Sequence, residues 1–101
     1  MKQNETLVWV IYDITKDKTR RKVIKVTELS GLYRVQKSVF LGRINLTELK
    51  SLTEEIHDLI NHDHDSVYIF PMCQPDFKSV ILKGQAFDKN LVNDEIKSLF
   101  I

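Results

Sequence analysis

The sharpest chemical feature of the chain is Asp13, which ends the six-residue apolar run Leu7 to Tyr12 and is followed by apolar Ile14. An ionised carboxylate beside a core is costly unless it is paired, capping or metal-bound. One reading makes Asp13 the cap of the next helix or the partner of Arg20. The other makes it a Mg²⁺ ligand. One carboxylate is a poor Mg²⁺ site, but a twofold axis near the strand end would supply a second, with water filling the remaining positions.

A second set combines Arg20, Arg21, Lys22, Arg34, Lys37 and Arg43 with Phe40. Arginine beside an exposed aromatic suits a phosphate-backbone clamp with base stacking. The plainer reading is a solvated helix face and a core phenylalanine. A third set, His57, His62 and His64 with Asp58, Asp63 and Asp65, alternates like a metal tract but lacks zinc-helix spacing and cysteine ligands, so it reads as a solvated turn. Cys73 has no nucleophile motif around it and reads as a small core residue. Gly31, Gly42 and Gly84 are isolated, so no glycine-rich phosphate loop is present.

These residues need a scaffold. The 101 residues, 43% hydrophobic and 29% charged, support one domain (1–101) with a real core. A single cysteine suits a reducing compartment. The start Met1-Lys2-Gln3-Asn4-Glu5 lacks a signal-peptide pattern, and the apolar run after it is too short to span a bilayer, so the expected location is the cytoplasm, away from membranes. The net charge of +1 conceals an asymmetry: residues 1–50 carry a net of +6 and residues 51–101 a net of −5. One surface could therefore favour a polyanion, unless the two halves mix in the fold.

Thr6 to Asp13 is β-branched, aromatic and apolar on both faces, which predicts a strand covered on both sides. Thr15 or Asp17 offers an N-cap for a helix from Lys18 to Ser30, stopped by Gly31. Lys18, Arg21, Lys22 and Lys25 form one basic stripe along that helix, with Val23, Val26 and Thr27 opposite. Leu32 to Ile44 reads as a long extended stretch, with Tyr33, Val35, Val39 and Leu41 on one face and Leu32, Arg34, Gln36, Ser38 and Phe40 on the other. Asn45 to Glu48 has capping-box spacing and opens an amphipathic helix carrying Leu46, Leu49, Leu52, Ile56, Leu59 and Ile60. Val67 to Met72 is expected to be a strand with Pro71 at an edge, and Phe77 to Lys83 another. The tail from Gln85 to Ile101 could turn into helix around Leu91, Val92 and Ile96, and its apolar end should dock on a core or a partner.

The order β-α-β-β-α-β is the α+β, ferredoxin-like arrangement. Its sheet leaves one face bare, and the doubly apolar first strand implies a cover for it. A second copy of the chain is the simplest, so a homodimer is expected.

Several strings go further than the physics. Val10-Ile11-Tyr12-Asp13-Ile14, Arg20-Arg21-Lys22-Val23 and Gly31-Leu32-Tyr33-Arg34-Val35-Gln36-Lys37-Ser38-Val39-Phe40 closely resemble the small core adaptation protein of CRISPR systems, the second core "Cas" family, often described as the CRISPR-associated endoribonuclease. Asp65 to Pro71 is similar to that family's third strand. The resemblance implies a ferredoxin-like homodimer in which Asp13 of each subunit faces a shared divalent-metal site, Mg²⁺ or a related cation. It places Tyr12, Arg20, Arg34, Ser38 and Phe40 around that site and implies that Lys97 to Ile101 adds a strand to the partner's sheet. Lys18, Arg21, Lys22, Lys25, Lys37 and Arg43 are the expected nucleic-acid-binding residues. It further implies spacer acquisition in which the dimer bridges integrase subunits and holds a protospacer duplex.

The resemblance covers both a metal-dependent nuclease acting on single-stranded RNA or duplex DNA and an inactive structural adaptor. In the nuclease, Arg20 or Arg34 would stabilise charge on the phosphate. In the adaptor, the same residues would grip the backbone without chemistry. A virulence-associated toxin ribonuclease shares this fold and is the more distant alternative.

Overall fold

A computed structural model describes residues 4–86. Its elements run β1 (Glu5–Asp13), α1 (Asp17–Leu29), β2 (Tyr33–Gln36), β3 (Val39–Asn45), α2 (Leu46–Leu59), β4 (Ser66–Met72) and α3 (Gln74–Lys78). The strands form one sheet in the order β2-β3-β1-β4, antiparallel at every pairing. This is the expected βαββαβ arrangement, with β1 central and β4 at an edge.

The ends of the elements follow from local chemistry. Asn45 caps α2: its side-chain oxygen accepts from the Glu48 amide at 2.8 Å, and its side-chain amide donates back to the Glu48 carboxylate at 3.2 Å. Gly31 takes a φ of +89° just beyond α1, a left-handed turn that ends the helix cheaply only with glycine. The start of α1 departs from expectation. Its N-cap is Lys16, and neither Thr15 nor Asp17 caps it.

The stretch Leu32 to Ile44 is a hairpin rather than one long strand. Lys37 and Ser38 form the turn, and a bulge lies between Arg34 and Gln36. The two faces read from its alternation survive the turn. Leu32 and Phe40 join Val8, Val10, Tyr12, Ile14 and Ile44 beneath Val23 of α1 and Leu52 and Ile56 of α2. Val35 and Leu41 join Leu7 and Trp9 in a second cluster on the other face, with Tyr33 and Val39 packed against it.

That second face is where the fold corrects the sequence reading. Phe77 does not begin a fourth long strand. It sits in α3, buried to 1% exposure, and its ring stacks on Trp9 with centroids 5.8 Å apart. Pro75 in the first turn of α3 favours helix, and burying Phe77 outweighs the strand propensity of Val80 to Leu82, which have no regular structure. The chain thus covers the Leu7–Trp9 part of its own second face. The expected helical turn at Leu91 to Ile96 and the expected strand Lys97–Ile101 lie outside the described residues. No helix among the described residues is long and apolar enough to cross a membrane.

Candidate functional site around Asp13

Asp13 is the last residue of β1, exposed, and opposite Ser66 in the β1–β4 ladder. Alternation along β1 places it with Leu7, Trp9 and Ile11 on the second sheet face, away from α1 and α2. Among the described residues no hydrogen bond or ion pair holds its carboxylate. The capping reading does not hold: Arg20 pairs with Asp17 instead and donates from Nη1 to the Ile14 carbonyl at 3.0 Å.

Tyr12 points the other way, into the core, with its ring 6.2 Å from Phe40. Its phenol donates to the Lys37 carbonyl oxygen, and Arg34 donates to that same oxygen from Nε at 3.1 Å and Nη2 at 2.8 Å. The Tyr12 amide donates to the Ser38 carbonyl at 3.0 Å. Two bonds from Tyr12 therefore tie the β2–β3 turn to the end of β1, beside Asp13, and two from Arg34 brace the turn from within its own hairpin. Burial pushes the Tyr12 phenol above its ordinary pKa, and the Arg34 guanidinium pulls it partly back.

The expected site residues therefore divide by what they touch. Asp13, Lys37 and Ser38 share one end of the sheet, and Tyr12 and Arg34 hold that end in shape. Phe40 is fully buried, so it is core and cannot stack on a base. Lys18, Arg21, Lys22 and Lys25 are exposed along α1 as expected. Arg43 is exposed but lies opposite Leu7, six residues along β1 from Asp13, or about 20 Å at strand rise. The basic set is thus spread over separate surfaces. The rings of His57 and His62 lie 4.3 Å apart, and His62 Nε2 lies 2.8 Å from the His57 carbonyl, beyond the end of α2.

Sequence reasoning did not anticipate three features. The Lys37 carbonyl hub left no trace, because its acceptor is a backbone atom. Tyr68 and Phe70 stack at 6.2 Å on the second face of β4, 54% and 47% exposed, although alternation in β4 could have flagged them. Asp65 accepts from the amides of Thr15 at 3.2 Å and Asn61 at 2.9 Å, tying two loops together. The Asn61 amide above all holds its carboxyl below the usual carboxylate range.

Among the described residues no three His, Cys, Asp or Glu side chains converge as a metal centre would need. As a hard-oxygen ligand Asp13 suits Mg²⁺ in its chemistry, but a single carboxylate does not make a Mg²⁺ site.

The model of the family "CRISPR associated protein Cas2" matches residues 6–80, from β1 to just past α3. The chain belongs to the Cas2 family. A Cas2 endoribonuclease of Archaeoglobus fulgidus is 37% identical over 65 residues, covering 64% of this chain and 69% of that protein. A Cas1/Cas2 endonuclease fusion of Thermoproteus tenax is 33% identical over 63 residues, covering 62% of this chain and 24% of the fusion. A solved Cas2 structure superposes with a TM-score of 0.69 at 26% identity, covering 88% of this chain and 95% of that one. The Cas2 match spans Asp13, the Lys37 hub and α1, so the whole candidate site lies within the matched residues.

Proposed function

We propose that this Cas2 family member is a cytoplasmic, Mg²⁺-dependent endonuclease of CRISPR spacer acquisition that works as a homodimer, with Asp13 of each copy contributing to one metal site. The observation that carries this reading is the exposed, unpartnered Asp13 carboxylate at a strand end made rigid by Tyr12 and Arg34. Among the described residues that carboxylate holds no structural contact, which leaves it free to bind a cation. The relatives named as endoribonucleases and endonucleases support the same chemistry.

The stacked pair Tyr68 and Phe70 supports the dimer. Tyr68 lies opposite Ile11 and Phe70 opposite Trp9, both on the face that carries Asp13. A second copy seated on this exposed aromatic patch would cover it and bring the two Asp13 carboxylates towards each other. When bound, Mg²⁺ would polarise a phosphate oxygen and activate water. The protein's own contribution is to orient the phosphate. Lys37, exposed on the locked turn, is placed to hold a phosphate oxygen by charge, while Arg20 and Arg34 have guanidinium donors committed to backbone carbonyls and act by support.

The exposed stripe on α1 favours a second reading, in which the dimer grips duplex DNA for a Cas1 integrase partner without cutting it. The Cas1/Cas2 fusion supports that partnership. Family membership favours both readings over a toxin ribonuclease. Cleavage of labelled RNA and duplex DNA in Mg²⁺ separates them. The nuclease reading predicts that Asp13→Asn loses cleavage by at least about a hundredfold while keeping its melting temperature and dimer mass. No cleavage by wild type would leave the adaptor, and equal cleavage by wild type and Asp13→Asn would remove Asp13 from the chemistry.

A further inference from the structure

The end of α1 and the first half of α2 border a shallow groove of about 230 Å³, lined by Leu29, Ser30, Glu48, Ser51, Leu52 and Glu55. It lies in the helix layer, on the opposite side of the sheet from Asp13, and the functions proposed above give it no task. Leu29 at its rim is 77% exposed, and Leu46 at the start of α2 is 55% exposed. A lone surface leucine is ordinary, but the surroundings of this one are not. Leu29 lies seven residues past Lys22 and four past Lys25, so it ends the basic stripe of α1 on the same face. Across the groove, Glu48 and Glu55 lie two turns apart on one face of α2. All four charged side chains are exposed, and among the described residues no ion pair engages any of them.

The lining restricts the occupant. A phosphate group, on nucleic acid or on lipid, would meet the two glutamates and be repelled. A neutral apolar ligand would cover Leu29 and strip water from charges it cannot pair. The occupant needs cations for the glutamates, carboxylates for the lysines and an apolar side chain for Leu29. The same surface of this chain supplies all three. We propose that a second copy docks here in an isologous contact, Leu29 against Leu29 about a twofold axis, with Lys22 and Lys25 of each copy facing Glu48 and Glu55 of the other. Twofold symmetry makes each complementary pair occur twice. An apolar centre with a charged rim is also the ordinary anatomy of a specific contact. With one leucine and four charges a side the contact is small, and small contacts are transient. It leaves the sheet face free, so it joins two sheet-face dimers rather than replacing them. It also covers Lys22 and Lys25, so the associated particle offers fewer cations to a polyanion.

Sedimentation velocity of the full chain without Mg²⁺, in sodium chloride at about 50 mM and about 500 mM, tests the contact. As protein concentration rises, the mass should climb towards twice that of the starting particle, whether that particle is the sheet-face dimer or a single chain. The association should weaken by about tenfold at the higher salt. Leu29→Ser removes the apolar centre and should weaken it by about tenfold. Lys25→Glu and Glu55→Lys each set like charges opposite each other and should weaken it by about tenfold or more, and an equimolar mixture of the two should return to within about threefold of wild type. Glu48 is left in place because it caps α2. The substituted side chains are exposed, so all three variants should keep the wild-type melting temperature. Absence of salt-dependent doubling in wild type, or losses in the charge variants that mixing does not repair, overturns the contact. Binding of a synthetic lysine- and leucine-rich helical peptide to a wild type that does not double would assign the groove to another protein and overturn the second copy. None of these readings depends on Asp13→Asn cleavage, so the contact and the nuclease can fail separately.

Discussion

At the scale of single residues, the fold separates groups that act from groups that hold. Asp13 and Lys37 are exposed and uncommitted, while Tyr12 and Arg34 direct their donors onto one backbone oxygen. Tyr12→Phe removes one of three donors to the Lys37 carbonyl and should cost about 1 kcal/mol in urea unfolding at pH 8. That contribution fades in alkali. The folded phenol has a raised pKa, so its contribution is intact below the ordinary tyrosine value and is lost as pH climbs through the folded one. The gap between wild type and Tyr12→Phe should therefore narrow from pH 8 to pH 11. A constant gap would mean that Tyr12 titrates alike in both states.

At the scale of elements, the informative case is α3, a five-residue helix held by one large side chain. Short helices are marginal alone, so α3 depends on Phe77 docking against Trp9. Phe77→Ala should cost about 3 kcal/mol or more by cavity formation. Trp9 is the only tryptophan in the chain, so its emission should shift to the red as water reaches it. An unshifted spectrum would show that Trp9 is shielded by something other than α3. The long helices illustrate the opposite situation: Asn45 with Glu48, Gly31 and the helical spacing of apolar residues in α2 were readable because they act within a turn or two of themselves.

At the scale of the whole molecule, charge is segregated by helix. The outer surface of α1 carries Lys18, Arg21, Lys22 and Lys25, while that of α2 carries Glu48, Glu54, Glu55 and Asp58. A near-neutral chain can therefore still bind duplex DNA along α1. If all four cations meet phosphates, log affinity should fall with log salt at a slope of about −3.6 per chain. The double variant Lys22→Ala, Lys25→Ala should flatten that slope by about 1.8. A slope unaffected by these changes would move the duplex elsewhere, with Lys37 the next cation to test.

Two kinds of information separate clearly in this protein. Periodicity, turn chemistry and the family strings were enough for the βαββαβ order, the central β1, the α2 cap and the strand-end position of Asp13, whereas its exposure came only from the fold. The sheet faces were legible too, since alternation survives a hairpin. Other features had to await packing. Phe40 belongs to the core because α1 and α2 close over it, and Phe77 is helical because Trp9 is within its reach. Arg34 serves a carbonyl that carries no side-chain signature. Thr15 and Asn61 are brought together by the Asp65 carboxylate, which joins loops fifty residues apart. Local free energies select helices, strands and turns; burial and backbone hydrogen bonding across the chain decide which of their side chains remain free to bind.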